Sequence, residues 1–208
     1  MSTKAPKLRS DGKHGFLFVG NQLTLDFLNT RPVQNGDPVE LLPDFKAFLR
    51  WFQAAGLLNA RQVANIEARW GQSDRARQTA EAARELRESL RKDILAWERG
   101  AAVRRSTVEE LNRLMVEHPM RTRLRPTRNG LSKELWFDPQ EPEDLFAPLA
   151  QSAATLFAET ASDRVRKCGQ CVLHFHDTSK KGTRRWCSMR LCGNRVKVAA
   201  YAVRKRGG

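Results

Sequence analysis

Apolar residues recur every three or four positions through the middle of the chain, the spacing that gives a helix one buried face. Residues that start helices stand between these stripes: Pro43 fits a first turn, and Asn59 and Ser73 fit N-terminal caps. A capping-box pattern at 106–109 precedes the next stripe. The pattern predicts four consecutive helices, over residues 43–56, 59–71, 73–100 and 106–119.

Shorter patterns flank these helices. The apolar run 15–20 is compatible with a strand, whereas 23–30 fits a helical turn as well as a strand. Asn129-Gly130 suits a type I′ turn, which predicts a β-hairpin centred on it. A further helix is expected over 145–157. Together these elements predict an α+β fold, with a mostly helical α/β N-terminal domain that carries a small sheet.

Charge is distributed unevenly along the chain of 208 residues. The net charge is +14, and the segment 163–208 alone holds thirteen Lys and Arg but two acids. All four cysteines also lie in this segment. These features predict a separate basic module with a polyanionic partner, preceded by a flexible arm over 1–14 and an N-terminal domain over 15–162.

The length of the apolar runs and the polarity of the N-terminal residues bear on compartment and membrane association. No run approaches the roughly 20 residues that a membrane-spanning helix needs. The first fifteen residues are polar and lack the hydrophobic stretch of a secretory signal. These observations predict a cytoplasmic protein without a membrane partner.

The cysteines form a C-x2-C pair, Cys168 and Cys171, and a C-x4-C pair, Cys187 and Cys192, separated by fifteen residues. Zn²⁺ takes four thiolates at tetrahedral corners, and a two-residue gap lets a tight turn aim two sulfurs at one point. Because protein would fill all four corners, the predicted Zn²⁺ is structural. A reducing cytosol disfavours disulfides, a redox C-x-x-C lacks its βαβ context, and an iron–sulfur cluster stays open.

The residues around the cysteines predict the order of elements in this module. His174 and His176 are substitute ligands by their chemistry, but they alternate along a predicted strand, which favours packing or surface roles. A hairpin joining 172–177 to 184–186 and a helix over 189–202 are expected. The order of knuckle, hairpin and helix predicts a treble-clef zinc finger.

The basic residues of the module are expected on the hairpin tip and along the final helix. Lys and Arg bind phosphates, and Arg can also read guanine edges. Trp186 and Asn194 are predicted to brace the finger; base contact is the alternative for Asn194, and for Arg195 both roles stay open. The predicted nucleic-acid contacts are Lys180, Lys181, Arg184, Arg185, Arg190, Arg195, Lys197 and Arg204.

Two motifs carry a family resemblance. The segment 187–195, CSMRLCGNR, with 183–186 and 175–179 before it, resembles the CGNR-type zinc finger over about 165–205. Upstream, residues 25–30, LDFLNT, resemble the opening motif of the bacterial ABATE domain. The resemblance implies an α/β N-terminal domain with an unknown ligand, a treble-clef finger and a stress-linked role in transcription regulation. His176 departs from the family pattern, which has an apolar residue there.

The resulting expectation is a zinc-finger DNA-binding transcription regulator whose N-terminal domain senses a small-molecule effector or forms a homodimer. The alternatives are an RNA- or protein-interaction module, and a small-molecule-binding domain with the finger as scaffold. No nucleophile elbow, phosphate loop or His–carboxylate cluster is recognised before residue 163, where His14 and His118 look isolated. We therefore expect no enzyme activity.

Overall fold

The computed structural model describes residues 15–34, 36–194, 196–198, 201 and 205. The arm predicted over 1–14 lies outside these residues. None of the described helices is long and apolar enough to cross a bilayer. The helices of the N-terminal part are α1 (Leu23–Leu28), α2 (Phe45–Ala54), α3 (Ala60–Trp70), α4 (Asp74–Trp97), α5 (Arg105–Glu117) and α6 (Phe146–Glu159).

The caps predicted for α3 and α4 are confirmed. The side chain of Asn59 accepts a hydrogen bond from the backbone N–H of Gln62, whose own side chain accepts the N–H of Asn59. The hydroxyl of Ser73 accepts the N–H of Ala76 in the same way. Because these side chains satisfy backbone donors that a helix start leaves unpaired, both starts could be located from the sequence.

Two predicted helix starts are wrong in detail. Asp44 caps α2, and Pro43 therefore precedes the helix instead of forming its first turn. The fourth predicted helix begins after Arg104, whose backbone and guanidinium both donate to the carboxylate of Asp93. That contact sets the start of α5, so Ser106 lies inside the helix and not at its cap.

The segment 15–20 is not a strand, and the ambiguous motif after it is the helix α1. The carboxylate of Asp26 accepts the backbone N–H of Gly20 at 2.7 Å. A Cβ at Gly20 would lie 2.8 Å from the backbone nitrogen of Asp26, so the close approach requires glycine. The side chain of Asp26 thus accepts the Gly20 N–H that a neighbouring strand would otherwise have accepted.

Aromatic side chains form the centre of the N-terminal core. Phe27 of α1 packs against Phe48 and Trp51 of α2, with ring centroids 6.3 and 5.5 Å away. Phe52 meets Phe48 edge-on at 4.9 Å. All four rings are fully buried, and apolar stripes of α4 and α6 pack around them. The predicted helical stripes therefore converge on one core.

The described strands form two-stranded antiparallel sheets, which confirms the α+β class with small sheets. A hairpin is present at the predicted place, but its two-residue turn is Arg128–Asn129, since Thr127 pairs with Gly130. The predicted type I′ turn on Asn129-Gly130 is wrong, because Asn129 does not have a positive φ and Gly130, at φ 130°, begins the second strand. The strands are β1 (Val33–Gln34) with β2 (Asp37–Pro38), β3 (Arg121–Thr127) with β4 (Gly130–Trp136), and β5 (Val165–Lys167) with β6 (His174–His176).

The hairpin of the cysteine module differs from the predicted one. β6 pairs with β5, which precedes the first cysteine pair, and residues 184–186 form no strand. The backbone N–H of Cys168 donates to the carbonyl of Leu173 at 2.8 Å, so the knuckle turns the chain back onto β5. A π-helix over Met189–Gly193 follows, and the end of the helix predicted over 189–202 lies outside the described residues.

Candidate metal centre and its contact with the N-terminal domain

The four cysteine sulfur atoms converge at one point. All of them lie within 4.8 Å of one another. The sulfur of Cys187 is 3.4 Å from that of Cys171 and 3.7 Å from that of Cys192. Cys168, Cys187 and Cys192 are buried and Cys171 is partly exposed. The set therefore meets the first requirement of a metal centre, which is ligands around a single small volume.

These distances fit a tetrahedral ion and exclude disulfides. A disulfide bond joins its sulfurs at about 2.05 Å, far less than the separations found here. Four thiolates at about 2.3 Å from one Zn²⁺ are separated by about 3.8 Å at tetrahedral corners. A cluster of several iron atoms needs more space between its thiolates. The geometry favours one ion and provides Cys168, Cys171, Cys187 and Cys192 as the ligands that bind it.

Two local structures aim the sulfurs. Cys168 and Cys171 lie at the tip of the β5–β6 hairpin, where Val172 adopts φ 59° to complete the knuckle. Cys187 precedes the π-helix and Cys192 lies within it. The side chain of Ser188 caps this helix. The backbone carbonyl of Ser188 accepts the N–H of Cys192 at 3.0 Å.

The pKa values of the cysteine thiols are shifted by their closeness to one another, which explains why the cluster favours a bound cation. Hydrogen bonds from Cys171 and Cys187 lower the pKa of Cys168. The hydrogen bond with Cys168 raises the pKa of Cys171 to about 12, and hydrogen bonds with Cys168 and Cys171 raise the pKa of Cys187, with burial and the neighbouring thiolates adding to both shifts. Four thiolates at these distances repel one another until a cation neutralises them. Zn²⁺ would supply that charge and hold both halves of the module together.

Trp186 lies between two glycines of the module. A Cβ at Gly169 would be 3.3 Å from one edge of the indole, and a Cβ at Gly193 would be 3.3 Å from another. The Met189 thioether lies 2.5 Å from that Cβ position at Gly193, so a larger residue there would have to displace this flexible, exposed side chain. Trp186 thus packs beside the cysteines, while the side chain of Asn194 is exposed. Their predicted bracing roles stay predictions.

Asp177 organises the loop between the cysteine pairs, a role that sequence reasoning missed. Its two carboxylate oxygens accept the backbone N–H groups of Ser179 and Arg184 at 2.9 and 2.8 Å. Burial opposes ionisation of Asp177, but these hydrogen bonds and the nearby Arg166 lower its pKa to about 2. The turn between Asp177 and Arg184 is the signal that could have identified it, because aspartate commonly caps such turns.

The predicted nucleic-acid contacts fall into three groups. Arg184 is half-buried: it stacks over Phe175 at 4.6 Å and donates to the carbonyls of Trp186 and Cys187, so its guanidinium belongs to the finger interior. Arg195 and Arg204 lie outside the described residues. Five are exposed: Lys180, Lys181, Arg185, Arg190 and Lys197.

The motif 25–30 joins the two parts of the molecule. The side-chain amide of Asn29 donates to the carbonyl of His174 and accepts the N–H of His174, both at 2.9 Å. Asn29 is buried, and it extends the edge of β6 as a further strand would. The N–H of His176 donates to the carbonyl of Gly20, and Asn21 donates to the carbonyl of His176. The finger therefore docks through its strand backbone.

His174 faces a carboxyl group of the N-terminal domain, not the cysteines. Its Nε2 atom is 3.4 Å from an oxygen of Glu98, the residue after α4. Burial lowers the pKa of His174 to about 4, with Arg91 and Lys167 adding to the effect. Burial likewise raises the pKa of Glu98 to about 7. Near neutral pH the imidazole of His174 is thus neutral, while the carboxyl of Glu98 is about half protonated.

The prediction that no His–carboxylate cluster precedes residue 163 is wrong. His118, Glu141 and Asp144 offer ligand atoms within 4.8 Å of one another, and His118 Nδ1 is 2.9 Å from Asp144. His118 lies more than twenty positions before Glu141 and Asp144 in the sequence, so the cluster could not be recognised there. Asp144 also accepts the backbone N–H groups of Gln140 and Glu141, and Glu141 pairs with Arg75. The cluster therefore serves the turn that leads into α6.

Comparison with protein families gives two matches and no curated relative. Residues 21–160 match the ABATE family, described as "Putative stress-induced transcription regulator". Residues 164–205 match the CGNR zinc finger, which includes all four cysteines. No curated protein matches the chain. The chain belongs to the ABATE family of transcription regulators and carries a CGNR zinc finger, with four cysteines positioned to bind a metal ion, after the ABATE domain.

Proposed function

We propose that this protein is a cytoplasmic regulator that binds DNA through its zinc finger and has no catalytic activity. The observation that carries the proposal is the set of exposed cations on a module whose four cysteines are positioned to bind one metal ion. These are Lys180, Lys181, Arg185, Arg190 and Lys197.

The finger has little negative charge of its own to neutralise these cations. Asp177 is the single acid of residues 164–208, and its carboxylate is buried under the loop that it organises. Arg166 approaches this carboxylate at 3.7 Å, and Arg184 is engaged with main-chain carbonyls. The exposed cations therefore present a positive surface, for which closely spaced phosphates are the complementary partner.

The metal gives this surface its shape. Lys180 and Lys181 lie on the turn that Asp177 caps, and Arg185 lies two residues before the ligand Cys187. Contacts from such a preformed surface cost less conformational entropy than contacts from a disordered basic tail. Loss of the metal is therefore expected to weaken DNA binding even though the charges remain.

A binding titration across salt tests the proposal. The probe is a 30-base-pair duplex, and the protein is the full zinc-loaded chain. We expect binding at low salt whose logarithm falls linearly with the logarithm of salt concentration, with a slope smaller by about 3 in K180Q/K181Q/R185Q. The matched control removes three exposed cations from the helices, Arg61, Lys92 and Arg105, and should leave the slope unchanged.

Three outcomes would contradict the proposal. The first is absence of duplex binding at low salt, and the second is an equal loss in the finger variant and the control. Preference for single-stranded RNA over the duplex would favour the RNA-binding alternative instead.

The roles proposed for the N-terminal domain are effector binding and dimerisation. An open cleft of about 330 Å³ lies beside the starts of α2 and α4, lined among others by Phe45, Ser73 and Arg84. Its lining combines apolar groups with two arginines, Arg77 and Arg84, and two acids, Asp44 and Glu81, which suits a small polar effector better than an apolar one. Thermal denaturation with and without added small carboxylic acids and phosphates would test this: a raised melting temperature supports an effector site, and none argues against these two classes.

A further inference from the structure

The β3–β4 hairpin extends from the body of the protein as a ribbon. The structure describes every residue of both strands and buries none of them. At its base, Met120 and Phe137 pack against the N-terminal core, so the ribbon has a fixed origin. Seven residues per strand give a length of about 24 Å.

Strand register gives the ribbon two different faces. Residues directly opposite each other share a face, and the pairs Arg121–Trp136, Arg123–Glu134 and Arg125–Ser132 alternate with Thr122–Leu135, Leu124–Lys133 and Pro126–Leu131. One face is therefore arginine-rich. The other is largely apolar, and its leucines are exposed: Leu124 at 66%, Leu131 at 68% and Leu135 at 59%.

The ribbon carries the positive charge of the N-terminal domain. Residues 121–136 contain five Lys and Arg against the single acid Glu134. In the remainder of residues 1–162, nineteen basic residues face twenty acids. The excess positive charge of the domain is thus confined to this sixteen-residue element. In the rest of the domain, basic and acidic residues are nearly equal in number.

A ribbon of this kind needs a partner. An isolated two-stranded hairpin is marginally stable in water, and three exposed leucines on one face add to the cost. Inside the ribbon, Arg123 pairs with Glu134 at 2.5 Å and stacks over Trp136 at 5.0 Å. Those contacts hold the strands together but leave Arg121 and Arg128 facing outward at the base and the tip.

We propose that the β3–β4 ribbon is a second DNA-binding element, which lies in a groove of duplex DNA. A two-stranded ribbon fits a groove about 12 Å wide. Its apolar face would lie against the floor of the groove, where Pro126 and Leu131 meet sugars and base edges, as apolar residues of groove-binding proteins do. The long arginine side chains of the opposite face would reach past the ribbon edges to the phosphates on either side. The inference rests on the proposed function for the choice of DNA as partner, and it assigns a separate surface to the same duplex.

Charge favours DNA over a second copy of the chain. A symmetric dimer through the ribbon would place the same patch opposite itself and bring five cations near five others. Duplex DNA instead offers a negative charge about every 1.7 Å. The apolar face by itself would suit a dimer. The experiment below therefore also tests for dimerisation through this face.

The experiment compares three triple variants of the full zinc-loaded chain on the same 30-base-pair duplex. The ribbon variant, R121Q/R125Q/R128Q, removes ribbon charge and keeps the Arg123–Glu134 pair. The finger variant is K180Q/K181Q/R185Q, which removes finger charge. The control of equal net charge is R61Q/K92Q/R105Q on the helices. We expect the ribbon variant to bind about tenfold more weakly and to have a salt slope smaller by about 3. Its melting temperature and zinc content should match wild type, because the substituted residues are exposed.

The outcomes separate this inference from the proposed function. A ribbon variant that binds like wild type, or no worse than the helix control, overturns the ribbon site whatever the finger does. A ribbon variant that loses binding while the finger variant keeps it supports the ribbon and overturns the finger. No duplex binding by wild type overturns both. If L124S/L135S converts a dimer to a monomer without changing the salt slope of DNA binding, the ribbon is a subunit interface and the inference is wrong.

Discussion

The N-terminal domain and the zinc finger are stabilised by different means. In the described part of the chain, the N-terminal core contains thirty buried apolar residues, one of which, Val165, comes from β5 of the finger. The finger cluster has seven, three of which are cysteines and one of which, Leu17, comes from outside the finger. A core that small cannot offset the entropy of ordering about forty residues. The comparison teaches that the metal replaces buried apolar area in the finger, and that the finger also depends on contacts from its neighbour.

Loss of one metal ligand should separate the two regions most clearly. In Cys192→Ser, three thiolates remain, so zinc should be released and residues from about 164 onward should unfold, while the N-terminal domain stays folded. Structural zinc contributes about 10–16 kcal/mol in small fingers. Zinc analysis and hydrogen exchange of peptides from each region measure this. Val198→Ser, an exposed change in the same module, is the control; a Cys192→Ser protein with full zinc and native exchange would refute the metal's role.

The reverse experiment removes apolar area from the N-terminal domain. Phe48 is fully buried between Phe27 and Phe52, so Phe48→Ala should lower the free energy of unfolding by about 3–5 kcal/mol. Urea denaturation followed by fluorescence measures this change, with Val116→Ala, at an 80% exposed position, as control. The finger should keep its zinc at urea concentrations below the transition. An unfolding energy equal to the control would contradict the assignment of the core.

Asn29 makes two of the hydrogen bonds that join the two regions. Asn29→Ala leaves the N–H and the carbonyl of His174 without their partners, at about 1–3 kcal/mol for each buried group. The finger should keep its metal but detach, which hydrogen exchange at the amide of His174 would report as loss of protection. Asn112→Ala, at an exposed helix position, should change nothing. Unchanged protection in Asn29→Ala would mean that other contacts hold the finger in place.

The pH dependence of stability should reflect Glu98. Its pKa in the folded protein is raised to about 7 by burial, from an ordinary value of 4.5. The protonated form is therefore favoured by folding, and stability that is present below pH 4.5 is lost as pH rises through 7. Relative to Glu98→Gln, wild type should lose about 1–3 kcal/mol between pH 5 and pH 8, measured by urea unfolding. Glu81→Gln is the exposed control; a parallel pH profile for wild type and Glu98→Gln would contradict the buried carboxyl.

Local signals made much of the fold predictable. The helices α3 and α4 followed from apolar spacing and from the caps Asn59 and Ser73, because both signals act within one helical turn. Asn129-Gly130 located the hairpin to within one residue, although the turn itself is Arg128–Asn129 and not the predicted type I′ turn. The four metal ligands followed from their spacing in the chain, since each pair is brought together by a turn only two to four residues long.

Contacts between distant positions could not be predicted in this way. β6 was expected to pair forward with 184–186, but the turn at Cys168 returns it to β5, and periodicity alone cannot rank two such partners. The family resemblance marked Asn29, yet its partner His174 lies 145 residues away. His118 and Asp144 were likewise hidden by a separation of 26 residues. Side chains that pair across the fold thus account for most of what was missed.

The central claim is that one zinc ion bound by Cys168, Cys171, Cys187 and Cys192 holds the finger together. X-ray absorption spectroscopy at the zinc edge, on the purified full chain, tests it most directly. The account predicts one zinc per chain with four sulfur neighbours at about 2.3 Å and no nitrogen or oxygen neighbour. Fewer than four sulfurs, a nitrogen ligand from His174 or His176, or iron in place of zinc would contradict it.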